Sequence, residues 1–481
     1  MAVSRRFLVE TELFRSVSSQ FRNRSIRSGD SFLMVSFSTG TASSFSQKSR
    51  SSLKVFEKSS YISYGACGLP YFVGGMIDKL DDLVSLTVEQ MINQRGVPTH
   101  IRHEVTEIDR AKKTVRVKKL DTGAESIHMY DKLVIATGAR PIRPDIKGAD
   151  AEGVYYLRTV EDGICLKHAV QQNEKKTAVI VGGGFIGLEV AEEMVLSGLK
   201  VHVYEKMPRL LPFLPESFSE AVVDTLSANG VTVHLGKGVS EIMTEEGHVS
   251  GVCASDGEVL SADIVLMSIG VIPNAEIAKN AGLETGIKGS IAVGDDMQTS
   301  DLSIWACGDC VQMKNRITGK PVYIPLGTTA NKQGRIAGGN AVGGKETFSG
   351  VLGSMVTKIF DLYIAATGLS ESQAKERGYE AVNSVITKRD RASYYPGGRD
   401  NRICLILDQK TGRLLGASGI GSESVAGRIN VFAAAITCGM TVSEINELDL
   451  VYAPPVAPVY DPILIAASQA MKKVQKITEN T

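Results

Sequence analysis

One cysteine, Cys67, lies in a local sequence that could support nucleophilic chemistry. Cys67 lies in the stretch SYGACGLPYFVGG, residues 63–75. Gly68 and Pro70 suit the start of a helix, where free backbone N–H groups and the helix dipole favour a thiolate, so we expect a lowered pKa for this thiol. Such a thiolate would attack a disulfide or persulfide sulfur and form a mixed disulfide. The competing interpretation is a buried structural cysteine.

The other cysteines do not form an obvious framework. The seven cysteines are odd in number and scattered, at positions 67, 165, 253, 307, 310, 404 and 438. This pattern argues against structural disulfides and indicates a reducing compartment. Cys307 and Cys310 form a C-x-x-C pair, for which packing among small residues is favoured over a redox or metal role. No metal site is predicted.

Charge and hydropathy narrow the class of partner. Lys plus Arg and Asp plus Glu each number 53 among 481 residues, so no net field attracts nucleic acid or an anionic membrane. No run of 18 apolar residues predicts a spanning helix. We therefore expect a cytoplasmic protein that acts on a small molecule and binds neither nucleic acid nor membrane.

Alternating strand and helix patterns must position the reactive residues. From Leu53 onward, short apolar runs bounded by Gly, Asn or Asp alternate with helical patterns, as in residues 131–141 and 176–206. This alternation is typical of βαβ units on a parallel sheet. Apolar runs ending in an aromatic residue, Glu and Lys recur at Glu57 and Glu205, which indicates two dinucleotide-binding units.

The second nucleotide unit is complete in sequence. In VIVGGGFIGLE, Gly182 permits a tight turn, Gly184 lets the backbone approach a pyrophosphate, and Gly187 lets helix and strand pack closely. Glu205 closes the next strand, where it would accept hydrogen bonds from a ribose and repel a 2′-phosphate. NADH is therefore favoured, although basic residues within 206–209 leave NADPH open.

The first nucleotide unit is incomplete in sequence. Counting back from Glu57 predicts glycines near Met34, Ser36 and Thr39, but those three positions hold none, and Gly40 is the only glycine between Ser31 and Tyr64. Residues 32–44 would still make a strand and turn, but a credible phosphate loop is missing. Residues 1–52 contain seven Arg, fifteen Ser and three acidic residues. We interpret this segment as the product of a shifted reading frame or misassigned start, with an organellar presequence, and hence import, as the next candidate.

Three later stretches carry a resemblance to a known family, and two of them, at 136–141 and 299–310, look like parts of an FAD site. They are ATGARP at 136–141, GVIPNAEI at 270–277 and TSDLSIWACGDC at 299–310. From about Leu53 to the C-terminus the chain resembles the pyridine nucleotide-disulfide oxidoreductases of the glutathione reductase fold. The resemblance implies that Asp309, after Gly308, hydrogen-bonds the ribityl chain of FAD. The other positions implied to contact cofactor are Glu57, Ser63, Thr137, Gly138 and Gly270.

The surroundings of Cys67 resemble one branch of this family. The two-cysteine branch carries a C-x4-C disulfide, whereas here the position five after Cys67 is Phe72. The single-cysteine branch, which includes coenzyme A-disulfide and persulfide reductases, carries a motif matched by Ser63, Cys67, Leu69, Pro70 and Tyr71. Ala66 replaces an Asn that often precedes the cysteine, so one substrate contact differs.

The acid that protonates a leaving thiolate is expected to be tyrosine. All seven histidines precede residue 249, so no C-terminal histidine can serve. By resemblance, Tyr394 and Tyr452 reach across a homodimer to the substrate of the other subunit, and a phenol can donate the proton. The alternative is that they cap loops at the dimer interface, and packing is favoured for Tyr395.

The predicted fold is α/β, with two Rossmann-like dinucleotide-binding domains, and the resemblance implies in addition a C-terminal α+β dimerisation domain. The predicted segments are the atypical N-terminus at 1–52, the FAD-binding domain at 53–152 and 276–343, the NAD(H)-binding domain at 153–275, and the dimerisation domain at 344–481. The predicted function is NADH- and FAD-dependent reduction of coenzyme A disulfide, coenzyme A persulfide or polysulfide. The alternatives are an NADH oxidase that cycles through a cysteine sulfenic acid, and an inactive or regulatory relative that holds FAD poorly.

Overall fold

The computed structural model describes residues 31–36, 52–172 and 176–479, and side chains within 53–172 and 176–474. The described strands, numbered in chain order, are β1 Ser31–Ser36, β2 Ser52–Glu57, β3 Ser63–Tyr64, β4 Val84–Leu86, β5 Thr99–His100, β6 His103–Asp109, β7 Thr114–Lys119, β8 Glu125–Met129, β9 Lys132–Ala136, β10 Ala139–Pro141, β11 Val154–Tyr155, β12 Thr177–Val181, β13 Lys200–Glu205, β14 Val231–Leu235, β15 Val239–Glu245, β16 His248–Ala254, β17 Val259–Ser261, β18 Ile264–Met267, β19 Val271–Pro273, β20 Ile304–Ala306, β21 Met313–Lys314, β22 Pro321–Val322, β23 Met355–Ile359, β24 Leu362–Gly368, β25 Ala381–Arg389, β26 Asp400–Asp408 and β27 Leu414–Gly421.

The helices connect these strands and cover the faces of the sheets. They are α1 Leu69–Val73, α2 Val88–Arg95, α3 Val160–Gln171, α4 Phe185–Leu196, α5 Glu216–Ala228, α6 Glu276–Asn280, α7 Gly327–Ala341, α8 Glu371–Glu376, α9 Ser424–Cys438, α10 Val442–Asn446 and α11 Pro462–Glu479. Helix α3 starts at a capping box. The Thr159 side chain accepts a hydrogen bond from the Asp162 N–H, and the Asp162 carboxylate accepts one from the Thr159 N–H. This cap fixes the chain just before α3, where Arg158 lies.

The first parallel sheet brings four strand ends to one edge. Its order is β20-β9-β1-β2-β5, with β1 between β2 and β9. Ser36 is level with both Glu57 and Ala136, and Ala306 of β20 pairs with Ile135 one position earlier. The strand predicted within residues 32–44 is therefore present. Because ligands of such sheets bind beyond the carboxyl ends where the strand order reverses, this edge positions the first cofactor site.

The second parallel sheet has the order β11-β18-β12-β13-β14. Strand order reverses at β12, whose carboxyl end leads into the loop of Gly182 and then α4. A three-stranded antiparallel sheet, β15-β16-β17, covers one face through a core that includes Tyr204, Ile242 and Val252. The predicted strand-turn-helix is therefore formed as a βαβ unit.

The C-terminal unit is an antiparallel sheet with helices on one face. Its order is β23-β24-β27-β26-β25, and α9, α10 and α11 pack against it around Phe432. The opposite face, including Ile364 and Ile406, joins the core that contains Phe218 of the second unit. The predicted fold class, two parallel dinucleotide-binding units and an α+β unit, is confirmed, while the segment boundaries stay predictions.

Candidate functional site

Cys67 lies at a turn between a short strand and a buried helix. It belongs to a 3-10 turn, Ala66–Gly68, that follows β3 and runs into α1, with Pro70 in the first turn of α1. Leu69 and Phe72 are buried, and α1 packs on α3 and α4. This packing leaves the Cys67 side chain exposed while its neighbours are fixed, so the structure excludes the interpretation of a buried structural cysteine.

The expected low pKa of Cys67 is wrong for the chain as described. Burial among surrounding atoms raises the pKa of the thiol, the Glu189 carboxylate raises it further, Arg158 lowers it and Asp309 raises it. The Cys67 side chain is thus exposed at the surface, while neighbouring atoms still desolvate its sulfur. Helix α1 has five residues, so the dipole that it offers the thiol is small.

Asp309 presents a buried acceptor at the edge of the first sheet. It follows Gly308, whose φ of 79° favours glycine. Its Oδ2 accepts a hydrogen bond of 2.6 Å from Nη2 of Arg158, whereas its buried Oδ1 has no partner within the described chain. A buried carboxylate oxygen left open in this way fits a hydroxyl donor such as the ribityl chain of FAD.

The other predicted FAD contacts gather at the same edge. Glu57, fully buried at the end of β2, accepts a hydrogen bond from the Ser59 N–H, and Ser63 is buried in β3. Thr137 and Gly138 follow β9, and Asn274 bonds to both, with its N–H 2.9 Å from the Gly138 oxygen. These described residues fit FAD. The predicted gap in the phosphate loop falls on residues 37–51, which lie outside the described residues.

Gly270 lies where the two parallel units meet. Its φ is 107°, and its carbonyl oxygen accepts a hydrogen bond from the Ile142 N–H at 3.0 Å. Strands β10 and β19 pair antiparallel beside it. Gly270 is therefore a junction residue that joins the two strand ends, and its contact with cofactor remains a proposal.

The glycines of the second unit have three distinct environments. A Cβ on Gly182 would come within 2.4 Å of the Ser268 carbonyl oxygen, and one on Gly187 within 2.3 Å of the Gly182 carbonyl oxygen. A Cβ on Gly184, at the start of α4, would meet no atom within 4 Å. Gly182 and Gly187 are thus required by the fold, and Gly184 opens onto free space at a helix N-terminus, as pyrophosphate binding requires.

The Glu205 carboxylate lies at the second cofactor site and accepts hydrogen bonds from two backbone N–H groups. Its Oε2 accepts a hydrogen bond of 2.8 Å from the Gly183 N–H, and its Oε1 accepts one of 2.7 Å from the Met207 N–H. A carboxylate has about four acceptor positions, so a ribose hydroxyl can still bind it. A negative charge here would disfavour the 2′-phosphate of a bound NADPH, which stays a prediction.

A substitution at Gly184 tests whether a side chain there weakens NADH binding without lowering the stability of the fold. We expect G184V to raise the KM for NADH by about tenfold, the equivalent of about 1.4 kcal/mol, with an unchanged thermal unfolding midpoint. The matched G187A should instead lower the unfolding midpoint, since its Cβ meets backbone. Steady-state kinetics and thermal denaturation check both, and parental NADH affinity in G184V would contradict this placement of the pyrophosphate.

Tyr394 and Tyr452 come together, although 58 positions separate them. Their hydroxyl oxygens are 3.1 Å apart, and the hydrogen bond raises the pKa of Tyr452. Their side chains are 73% and 45% exposed. Within the described chain no hydrogen bond links either hydroxyl to Cys67, so the tyrosines and the thiol are separate groups in one protomer.

Two site residues escaped the sequence analysis. Arg158 contacts Asp309 and influences Cys67, but it precedes α3 without a motif. Glu189 lies on α4, two positions after Gly187, and accepts a hydrogen bond of 2.6 Å from the Thr357 hydroxyl. Burial raises the pKa of Glu189. In the sequence, Glu189 could have been noticed as an acidic residue two positions after Gly187, the last glycine of the loop. No sequence pattern marks Arg158.

The remaining candidate groups do not enlarge the site. Cys307 and Cys310 are both buried, and burial raises the pKa of both thiols. Among the described residues, no cluster of three His, Cys, Asp or Glu side chains is arranged to hold a metal ion. A helix with the length and apolar character needed to cross a bilayer is not found in the part of the chain that the structure describes.

Comparison with known proteins places the chain in a family. Residues 39–334 match the family described as pyridine nucleotide-disulphide oxidoreductase, and residues 355–461 match its dimerisation domain. The NAD(P)H sulfur oxidoreductase (CoA-dependent) of Pyrococcus furiosus is 37% identical over 418 residues, which cover 86% of this chain and 92% of that protein. The NADH oxidase of Methanocaldococcus jannaschii is 38% identical over 422 residues, with coverage of 87% and 93%.

A solved structure agrees with these relatives. The NAD-dependent persulfide reductase from A. fulgidus superposes with a TM-score of 0.88 at 36% sequence identity, covering 93% of this chain and 84% of that one. The match extends over both parallel units and the antiparallel unit. The chain therefore belongs to the pyridine nucleotide-disulphide oxidoreductases, flavin-dependent enzymes that use NAD(P)H.

Proposed function

We propose that the protein uses NAD(P)H to reduce a small-molecule disulfide, persulfide or polysulfide, with coenzyme A disulfide or persulfide as the preferred class. The observation that carries this proposal is the exposed thiol of Cys67, whose pKa responds to the charges of Arg158 and Asp309, with Phe72 at the position of a second redox cysteine. The CoA-dependent sulfur oxidoreductase and the persulfide reductase among its relatives support the same substrate class.

The thiol chemistry follows from a lone cysteine. The Cys67 thiolate attacks one sulfur of the substrate, so a new S–S bond forms, the old one breaks, and the departing thiolate takes a proton. An electron pair and a further proton then reduce the mixed disulfide, which releases the second thiol and restores Cys67. For a persulfide the departing group is hydrosulfide. NAD(P)H is the source of the electron pair in each case.

Two separate sets of described residues would hold the two cofactors. FAD, when bound, supplies a two-electron carrier between the nicotinamide and the thiol. Asp309, Glu57 and Thr137 would hold it along the edge of the first sheet. The loop of Gly184 and the carboxylate of Glu205 would hold the adenosine half of NADH. The NADH preference itself is part of the proposal and rests on the charge of Glu205.

The paired phenols are proposed to supply protons across a dimer. The dimerisation domain at residues 355–461 contains both Tyr394 and Tyr452. Their exposure leaves the hydroxyls available to a second copy of the chain, and a homodimer would bring them to the thiol of the other subunit.

A cytoplasmic location is also part of the proposed function, because a catalytic thiol needs a reducing compartment.

Removing the phenols tests that assignment. We expect Y394F/Y452F to lower kcat by about a hundredfold, the range of general acid catalysis, with a smaller change in KM. The neighbouring Y395F is the control and should keep the parental rate. Co-expression with C67S adds a sharper measurement, since random pairing restores about a quarter of the parental activity if thiol and phenols come from different subunits. No restoration would contradict the cross-subunit site.

A second candidate function is an NADH oxidase. The Methanocaldococcus jannaschii relative carries that name. In this reaction one NADH reduces oxygen to peroxide, the Cys67 thiolate takes one oxygen atom to give sulfenic acid and water, and a second NADH reduces the sulfenic acid.

A third candidate function is that of an inactive relative. It rests on the missing glycines before Glu57.

One set of assays separates the three candidates. Purified protein is loaded with FAD, and NADH consumption is followed without oxygen in the presence of coenzyme A disulfide or polysulfide. Consumption with stoichiometric thiol release supports the reductase. Consumption that requires oxygen and ignores the sulfur substrates favours the oxidase and overturns the proposal. A preparation that shows no flavin absorbance after loading favours the inactive relative.

A further inference from the structure

The Arg428 side chain is buried in the C-terminal unit, and its donors are distributed over three acceptor residues. Arg428 lies on α9, and its side chain is 6% exposed. Its Nε and Nη2 donate to the two carboxylate oxygens of Asp461, at 3.1 and 2.8 Å, and Nη2 also donates to the carbonyl oxygen of Asp390 at 2.9 Å. Its Nη1 donates to Oγ of Ser424 at 2.5 Å. A planar guanidinium held by three residues in this way has one defined position.

The Asp390 side of this network closes the loop that carries Tyr394. This Tyr394 loop, residues 390–399, connects β25 and β26. Asp390 is 2% exposed, its N–H donates to the Arg399 carbonyl oxygen, and its Oδ1 accepts a hydrogen bond from the Arg399 N–H, both at 2.9 Å. Tyr394 lies between these two closing residues. Arg428 therefore binds the base of the Tyr394 loop.

The Asp461 side of the network ends the segment that carries Tyr452. This Tyr452 loop, residues 447–461, connects α10 and α11. Oδ1 of Asp461 also accepts a hydrogen bond of 2.8 Å from the Ile463 N–H in the first turn of α11. The Ala392 N–H of the Tyr394 loop donates to the Pro454 carbonyl oxygen of the Tyr452 loop at 3.3 Å. The two loops thus meet through a backbone hydrogen bond, and Arg428 joins their bases.

The hydrogen bond between the two phenols needs such a constraint. The side chains of Tyr394 and Tyr452 are exposed, and their hydroxyl oxygens are 3.1 Å apart. A hydrogen bond between exposed groups competes with bonds to water, so it contributes little to the ordering of two loops. The buried pair of Arg428 and Asp461 is different, because separating its charges would leave each without a partner in a site that water does not reach.

We propose that Arg428 is a positioning residue that joins the Tyr394 and Tyr452 loops, so that the two phenols face the substrate as one hydrogen-bonded pair. The proposal rests on the proposed function, in which these tyrosines supply protons. Within the pair one hydroxyl donates, and the hydroxyl that accepts keeps its own O–H for the departing thiolate. Its proton moves to the thiolate sulfur, and the phenolate left behind accepts the hydrogen bond of its neighbour until it takes a proton from water.

Kinetics in two backgrounds test this role. R428M/D461N removes both charges, so that no unpaired charge stays buried, and the Asn oxygen can still accept the Ile463 N–H. We expect it to lower kcat for coenzyme A disulfide by about tenfold, a part of the roughly hundredfold effect assigned to the phenols, with the KM for NADH unchanged. In Y394F/Y452F the same two substitutions should lower kcat by less than about twofold, because the phenols that Arg428 positions are gone.

A measurement without turnover follows the phenol pair itself. The FAD-loaded enzyme is labelled with meta-fluorotyrosine, and the fluorine resonance of Tyr394 is assigned from Y394F. In the otherwise parental chain, Y452F should shift this resonance, because it removes the hydroxyl that is bonded to Tyr394. In R428M/D461N the same Y452F substitution should leave the Tyr394 resonance in place.

Two further variants separate position from stability. K410M/E380Q removes an exposed ion pair from the same unit and should leave both kcat and the fluorine response at parental values. R428K keeps a charge for Asp461, but a single ammonium lacks the fork that binds Asp461 and the Asp390 carbonyl oxygen together. R428K should therefore lower kcat only where both tyrosines are present. It decides the matter if R428M/D461N fails to fold, and parental kcat and fluorine response in R428K would then overturn the proposal.

The outcomes for Arg428 and for the tyrosines are distinguishable. When Y394F/Y452F has lost activity as expected, the proposal is overturned by equal losses of kcat in both backgrounds or by parental kcat in folded R428M/D461N. An undiminished fluorine response in folded R428M/D461N overturns it in any case. If Y394F/Y452F instead turns over at the parental rate while the fluorine response still depends on Arg428, then Arg428 positions the tyrosines and the proton comes from another group.

Discussion

The C67S variant is expected to lose NAD(P)H-driven thiol release from coenzyme A disulfide by about a thousandfold or more, the usual scale for removal of a covalent nucleophile. A serine hydroxyl stays protonated at neutral pH and cannot form the mixed disulfide. The measurement is anaerobic, with released thiol titrated against time. Parental turnover in C67S would contradict the assignment of the nucleophile.

Controls for C67S separate chemistry from loss of cofactor. The flavin absorbance per chain should match the parent, since Cys67 is exposed and its replacement removes no packed side chain. C165S is the matched control, because Cys165 is also an exposed cysteine, on the neighbouring helix α3, and it should turn over at the parental rate. Loss of flavin in C67S would assign the effect to binding.

Replacing Asp309 with alanine is expected to reduce both FAD retention and stability. Arg158 would remain largely buried without its carboxylate, and breaking a buried pair in this way costs about 3–5 kcal/mol. The unpartnered Oδ1 that fits a ribityl hydroxyl is lost as well. Flavin absorbance per chain after gel filtration and the free energy of unfolding in urea measure the two effects.

The control for D309A is an ion pair at the surface. Arg140 and Glu276 are 45% and 60% exposed, and an exposed pair contributes at most about 1 kcal/mol. E276A should therefore keep its flavin and nearly all of its stability. Full flavin content together with parental unfolding free energy in D309A would show that Asp309 neither holds FAD nor stabilises Arg158.

Strand ends could be predicted from sequence because their chemistry is local. Gly182, Gly184 and Gly187 lie within six positions, and the φ of 105° at Gly182 is a property that the residue type itself signals. Asp309 was recognised through its adjacent Gly308. The strand within residues 31–36 was also visible as an apolar run, although nothing in its sequence indicates that it is the middle strand of its sheet.

The sequence by itself determined the lone thiol and the complete second nucleotide unit, because each depends on residue type and short spacing, and its resemblance to a known family implied the fold class. Tertiary structure decided the electrostatics. Arg158, Asp309 and Glu189 come from three different elements, and only their packing around Cys67 shows that burial and a carboxylate raise the pKa of the thiol. The sign of that shift depends on distances between charges in a low-dielectric environment, which no local pattern encodes.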